Sequence, residues 1–150
     1  MAGEIIVYTD GSSRGNPGPG GYGAVLMAGK HRKELSEGFR KTTNNRMELR
    51  GVIVALEALK KEESNVTIYS DSKYVVDAVE KKWVFGWVKK GFLNKKNEDL
   101  WKRFLNEYAK YKVYFHWVKG HSGHTENEIC DKLAKQAAEG GNLKIDHGYM

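Results

Sequence analysis

The chain has 150 residues, of which 40% are apolar, so it is long enough to bury one hydrophobic core, and a single domain over residues 1–150 is expected. Its 25 lysines and arginines outnumber 19 acidic residues and give a net charge of +6. No apolar run is long enough to cross a membrane, and the N-terminus lacks a signal-peptide pattern. The single cysteine, Cys130, excludes an internal disulfide and suits a reducing compartment, so we expect a cytoplasmic protein.

Strands and helices are predicted in mixed order along the chain. β-Branched and aromatic residues predict five strands, at residues 4–9, 21–29, 34–40, 65–70 and 112–118. Apolar residues at helical spacing predict four helices, from Arg46 onward, at 72–82, at 98–111 and from Thr125 onward. The first three strands are expected to form an antiparallel meander within one α/β domain that has a mixed sheet. Residues 140–150 carry glycine and polar residues, so we expect a loose tail there.

One segment of the chain concentrates positive charge. Residues 81–96 (KKWVFGWVKKGFLNKK) contain six lysines and no acidic residue. Such a block is typical of a surface that binds a polyanion. A solvated lysine-rich loop would explain the charge equally well.

Four acidic residues are expected near the ends of predicted elements, where a rigid backbone can aim a short side chain. Asp10 ends the first strand, and Asp71 follows the fourth. Glu48 is expected in the first turn of the first helix, and Asp131 in the first turns of the last. Close carboxylates repel each other unless a cation lies between them, and oxygen ligands favour Mg²⁺ or Mn²⁺. The acids therefore predict metal-assisted hydrolysis.

Each acid also has an ordinary explanation. Glu48 could cap its helix together with Asn45, and Asp71 could belong to the N-cap region of the next helix. Asp131 could be an acid that the helix dipole favours. The spacing alone does not decide between these interpretations.

A glycine- and proline-rich stretch, SSRGNPGPG (12–20), follows the Asp10-Gly11 pair and is expected to be a loop. Glycine-rich loops after strands often bind phosphate. This one has no Gly-Lys-Ser/Thr ending and does not open a helix. It is therefore not expected to grip phosphate as a P-loop does.

Four motifs, in this order along the chain, resemble the bacterial type 1 ribonuclease H family. They are YTDGSSRGNPGPGGYG (8–23), TTNNRMEL (42–49), YSDSKYV (69–75) and WVKGHSGHTENEICDKLA (117–134). The resemblance implies the ribonuclease H-like α/β fold, a five-stranded mixed sheet flanked by helices. It also implies an endonuclease that hydrolyses the RNA strand of RNA–DNA hybrids and leaves 3′-hydroxyl and 5′-phosphate ends.

The resemblance also implies the catalytic residues. The family's four metal-binding acids correspond to Asp10, Glu48, Asp71 and Asp131. They would hold two Mg²⁺ ions, or Mn²⁺ in their place. His121 would transfer a proton or assist product release. The glycine-rich stretch would let the backbone approach the RNA strand closely.

Residues that contact both strands are implied in the same way. The family's asparagines near RNA 2′-hydroxyls, which DNA lacks, correspond to Asn16, Asn44 and Asn45. Thr43 and Asn97 resemble a pocket for a phosphate of the DNA strand, and Lys41 stands where an arginine is often found.

The basic segment resembles the family's basic protrusion, which binds hybrid and would include Lys89 and Lys90. Tyr74 and Trp83 resemble aromatic residues that pack against deoxyriboses, although both could be core residues instead. Aromatic side chains alternate with lysines along the segment and suit a groove-facing surface, namely Trp83, Phe85, Trp87 and Phe92.

Two other classes of function stay open. The basic segment alone would suffice for a hybrid-binding module without catalysis, although the four acids argue against it. The same fold also serves DNA strand transfer and actin-like phosphate binding, but those proteins would lack the first two motifs. The expected partner is an RNA–DNA hybrid duplex, with no membrane, and a monomer is expected.

Overall fold

The computed structural model describes residues 4–60, 64–119 and 125–149. Across these ranges the chain forms β1 (Glu4–Ser13), β2 (Gly18–Ala28), β3 (His31–Thr42), α1 (Asn44–Glu57), β4 (Asn65–Ser70), α2 (Lys73–Glu80), α3 (Trp83–Lys89), α4 (Glu98–Tyr108), β5 (Lys112–Trp117) and α5 (Thr125–Glu139). Within the described ranges, no helix combines the length and apolar character that a membrane span requires.

The five strands form one mixed sheet in the order β3-β2-β1-β4-β5. β1 pairs antiparallel with β2, and β2 with β3, so the predicted meander is confirmed. β4 pairs parallel with both β1 and β5. Because Tyr8 of β1 lies opposite Tyr69 of β4, the residues that follow them, Asp10 and Asp71, reach the same edge of the sheet.

Helices cover both faces of the sheet. The main core contains residues of α1 and α4, among them Val52, Leu56 and Trp101, together with Ala24 of β2. The glycine next to Ala24, Gly23, faces α5 instead, because a Cβ there would overlap the helix backbone. Neighbouring strand residues point to opposite faces, so α1 and α5 lie on opposite sides of the sheet.

The glycine-rich stretch is largely strand, which corrects the predicted loop. Ser12 and Ser13 of β1 pair with Gly21 and Gly20 of β2. Gly21 is needed for helix packing, since a Cβ there would lie 2.6 Å from a carbonyl oxygen of α5. Asp10 therefore lies inside β1 rather than at its end. The role expected for the glycine-rich stretch in approaching the RNA strand stays a prediction.

The basic segment differs from the prediction in two ways. It contains a short helix, α3, that the sequence analysis did not predict. Phe92 is only 5% exposed and belongs to the main core, so it does not face a groove. Phe85 and Trp87 pack partly against that core, whereas Trp83 is 48% exposed.

The described part of the tail after Gly140 is anchored to the domain at Lys144 and Asp146, so the expectation of a loose tail was wrong there. The backbone of Lys144 bonds to Gly38 and Arg40 of β3, with N–O distances of 2.8 Å. Asp146 is buried, with 4% of its surface exposed. A buried aspartate among arginines gives this polar segment a fixed position that its composition did not indicate.

Candidate metal centre and nucleic-acid interface

Three of the four predicted acids meet at one edge of the sheet. Asp10 comes from β1, Asp71 follows β4, and Glu48 reaches in from α1. One carboxylate oxygen of each lies within 4.8 Å of those of the other two. The spacing in the sequence could not show whether these acids lie close together, and in the structure three of them do.

The glycine after Asp10 allows this convergence. A Cβ on Gly11 would overlap the backbone nitrogen of Glu48, so only glycine lets α1 approach β1 this closely. Thr43, not Glu48, caps the helix, because its hydroxyl accepts a hydrogen bond from Arg46 N at 3.3 Å. Glu48 lies in the second turn of α1 rather than the first, which leaves its carboxylate available to the cluster.

Burial and mutual repulsion make the cluster costly to ionise. Burial and then the charge of Asp71 raise the pKa of Asp10 to about 7, even though Gly11 N donates a 2.8 Å hydrogen bond to Asp10 Oδ1. Burial also raises the pKa of Glu48, and the charges of Asp10 and Asp71 add to that effect.

Two buried oxygens of the cluster, Glu48 Oε1 and Asp71 Oδ1, accept no hydrogen bond from the described residues. Buried carboxylate oxygens normally have partners. Close oxygen donors without partners are the ligand set that suits a divalent cation. The residues present therefore fit a metal ion.

Asp131 borders the cluster rather than joining it. It lies in the second turn of α5, near enough to Asp10 for its charge to contribute to the raised pKa of Asp10. Its carboxylate also pairs with Lys135, one turn further along, at 3.0 Å. The fourth predicted acid is thus on the Asp10 side of the site.

A polar pocket of about 480 Å³ lies beside the start of α1. We call it the phosphate pocket after the role predicted for Thr43 and Asn97, which line it. It contains four of the predicted substrate-binding residues, namely Asn16, Thr43, Asn45 and Asn97. Asn44, the neighbour of two of them, accepts a 3.0 Å bond from Ser13 Oγ and donates its backbone N–H to Asn16 Oδ1. The predicted asparagines and threonine are therefore brought together.

A second pocket of about 340 Å³ adjoins the phosphate pocket and shares Asn45, Lys96 and Asn97 with it. Tyr74 and Trp83 line this aromatic pocket. Trp83 is too exposed to be a core residue. Tyr74 is fixed in place, because its hydroxyl accepts bonds from Asn97 Nδ2 at 3.0 Å and from Trp101 Nε1 at 2.8 Å.

The remaining predicted residues are more dispersed. Lys90 lines a groove with Trp83 and Trp87, whereas Lys89 is exposed on α3 and lines none of these pockets. His121 lies outside the described residues.

Five residues of the phosphate pocket were not among the predicted substrate-binding residues, namely Pro17, Arg46, Lys96, Gly148 and Tyr149. Arg46 stands in the quoted TTNNRMEL motif, and Lys96 belongs to the basic segment, so both had a signal. Tyr149 had no such signal in the sequence, because a loose tail gave no reason to expect this residue in the pocket.

A partly buried carboxylate cluster together with a basic and aromatic groove is typical of the class of metal-dependent nucleases. The family model for RNase H matches residues 2–139. A Ribonuclease H of Desulforamulus reducens is 55% identical over 95% of this chain and 92% of its own. One of Shewanella amazonensis is 54% identical over 98% of this chain and 96% of its own.

Solved structures agree with these relatives. LC9-RNase H1, described as a type 1 RNase H with the type 2 active-site motif, aligns with a TM-score of 0.82 at 33% identity, over 93% of this chain and 74% of its own. LC11-RNase H1, solved in complex with an RNA/DNA hybrid, aligns with a TM-score of 0.66 at 27% identity, over 90% of this chain and 96% of its own. The chain belongs to the RNase H family, in its bacterial type 1 form, and is a nuclease with the predicted fold.

Proposed function

We propose that the chain hydrolyses the RNA strand of RNA–DNA hybrids with the help of two Mg²⁺ ions, for which Mn²⁺ can substitute. Asp10, Glu48 and Asp71 would hold the ions, with Asp131 as a further ligand on the Asp10 side. The observation that carries the proposal is the cluster of buried carboxylates, two of whose oxygens lack partners among the described residues. When bound, such ions stabilise the attacking and leaving oxygens of phosphodiester hydrolysis.

The protein's own part in this chemistry is to gather and orient charge. The parallel pairing of β1 and β4 fixes Asp10 and Asp71 on rigid backbone, and the close approach at Gly11 holds Glu48 against them. The products would carry 3′-hydroxyl and 5′-phosphate ends. We assign His121 to proton transfer or product release, as the family resemblance implies.

Substrate selection would depend on the two pockets and the basic segment. We assign Asn16, Asn44 and Asn45 to the RNA 2′-hydroxyls. The other contacts would be to the DNA strand, with its phosphate at Thr43 and Asn97 and its sugars at Tyr74 and Trp83. Lys89 and Lys90 would add attraction to the duplex backbone. LC11-RNase H1 was solved in complex with an RNA/DNA hybrid, which supports a hybrid duplex as the partner.

The expected setting is a monomer in the cytoplasm. The cysteine content supports the location, because Cys130 is the only cysteine and is buried in α5.

The test is incubation with labelled RNA–DNA hybrid, double-stranded RNA, double-stranded DNA and the single strands, each with Mg²⁺ and with EDTA. Cleavage of the RNA strand of the hybrid, with Mg²⁺ only, is the expected result. Asp71→Asn should abolish it, whereas Asp77→Asn, on α2 and paired with Lys81 one turn further along the chain, should not. Hybrid binding without cleavage would favour the non-catalytic module, and cleavage in EDTA would contradict metal dependence.

A further inference from the structure

Residues 144–149, which we call the C-terminal tail, are held by a buried ionic network. Asp146 accepts hydrogen bonds from Arg46 Nε and Nη2 at 2.7 and 2.8 Å. It also accepts bonds from Arg50 Nη2 at 2.6 Å and from Thr42 Oγ1 at 2.8 Å. Four hydrogen bonds to one buried carboxylate hold this part of the tail against β3 and α1.

This anchor directs the end of the tail to the phosphate pocket. Gly148 passes so close to α4 that a Cβ there would overlap the Asp99 carboxylate. Tyr149 N donates to Asp146 O at 3.1 Å, and both Gly148 and Tyr149 line the pocket. The pocket therefore has a wall that comes from the last residues of the chain.

The charges around the pocket indicate what this wall does. Arg46 lines the pocket, but its guanidinium is already bonded to the carboxylates of Asp99 and Asp146. Its charge is thus balanced before any ligand arrives. The attraction for a phosphate is left to lysines, of which Lys96 lines the pocket and Lys41 stands two residues before Thr43.

Lys41 does not itself line the pocket. Its ammonium lies over the ring of Tyr149, 5.8 Å from the ring centroid. An ammonium within about 6 Å of an aromatic face is attracted by the ring. Tyr149 therefore lines the pocket and also contacts the Lys41 ammonium.

We propose that Tyr149 is a positioning residue, whose ring holds the Lys41 ammonium at the rim of the phosphate pocket, where the ammonium would bind a backbone phosphate of the duplex. The inference rests on the proposed function, and it extends that function to a tail that neither the motifs nor the family match over residues 2–139 includes. A lysine side chain loses much rotamer freedom when it binds a phosphate, so holding it in advance reduces the cost of binding.

The test compares hybrid cleavage by Tyr149→Ala, Tyr149→Phe, Lys41→Gln and the double variant Lys41→Gln/Tyr149→Ala. Ile145→Ala is the matched control, because Ile145 is in the same tail, 57% exposed, and does not line the pocket. Tyr149→Ala should raise KM about two- to fivefold, the effect of losing one exposed cation–π contact, with kcat within about twofold. Tyr149→Phe keeps the ring and should behave as the wild type.

The double variant separates positioning from an independent contact. If Tyr149 acts through Lys41, Lys41→Gln/Tyr149→Ala should have the same KM as Lys41→Gln alone. If the wild type cleaves hybrid, two results would overturn this inference alone. One is an increase in KM of the double variant equal to the combined effects of the two single variants. The other is a Tyr149→Ala variant whose KM is the same as that of Ile145→Ala. A wild type that fails to cleave hybrid would overturn the proposed function and this inference with it.

Discussion

Replacing Asp10 by asparagine should stabilise the metal-free protein while it abolishes cleavage. The side chain keeps an oxygen that can accept the Gly11 N–H bond but no longer carries a charge. In the wild type, burial and the charge of Asp71 raise the pKa of this carboxyl, so its ionisation opposes folding. The substitution removes that cost.

The magnitude follows from the pKa. Asp10 shifts from an ordinary value of 3.8 to about 7 in the folded protein. Three pKa units at about 1.4 kcal/mol each give at most ~4 kcal/mol. Because the folded pKa is the higher one, the wild type loses this stability as the pH rises from about 4 to about 7. Asp10→Asn should avoid the loss and gain on the order of 10 °C in Tm above pH 7.

The assay is thermal and urea unfolding in EDTA from pH 4 to pH 8, with Asp77→Asn as the control acid outside the cluster. The stability difference between Asp10→Asn and the wild type should grow through this range and then level off. Saturating Mg²⁺ should narrow it, because the ion stabilises the wild type. If Asp10→Asn is no more stable than the wild type at pH 8 in EDTA, the account of the cluster as a repulsive, cation-seeking site is wrong.

Three further variants test the close approach at Gly11, the role of His121 and the role of the basic segment. Gly11→Ala should destabilise the fold by about 1–3 kcal/mol and lower cleavage, because the added methyl group forces α1 and Glu48 away from β1; urea unfolding and rate measurements check both. His121→Ala should lower turnover by roughly 10²-fold in steady-state kinetics, with normal KM and normal Mg²⁺ binding by calorimetry, and loss of Mg²⁺ binding would instead make it a ligand. Glutamine at four lysines of the basic segment should raise KM with little change in turnover. The four lysines are Lys89, Lys90, Lys95 and Lys96. Their replacement should also make the slope of log affinity against log salt shallower by about 0.9 for each lost phosphate contact. An unchanged slope would show that these lysines only make the protein more soluble.

The positions of the three clustered carboxylates could be predicted from the sequence because the elements that carry them are local. β4 was predicted at its observed bounds, so the position of Asp71 just after it followed directly. The periodic apolar residues of α1 placed Glu48 on a helix, although one turn too early, because the helix begins at Asn44 under a Thr43 cap. The sequence did not predict that β1 and β4 are neighbours in the sheet, and only the observed strand order shows it.

The errors occurred where distant residues decide the conformation. Gly18 and Gly20 look like loop residues in isolation, and their place in β2 depends on pairing with β1 and with β3, some twenty residues later. Asp146 looks like a solvated tail residue until Arg46 and Arg50 are placed beside it. The phosphate pocket was found only in part for the same reason, since Tyr149 reaches it through that network.

The central claim is that the three clustered carboxylates bind the divalent cation, and calorimetric titration of Mg²⁺ tests it most directly. The wild type and Asp77→Asn should bind Mg²⁺ alike, because Asp77 pairs with Lys81 away from the cluster. Asp71→Asn should lose most of this binding while it remains folded, since it removes a carboxylate from the cluster. Unchanged Mg²⁺ binding by Asp71→Asn would contradict the account.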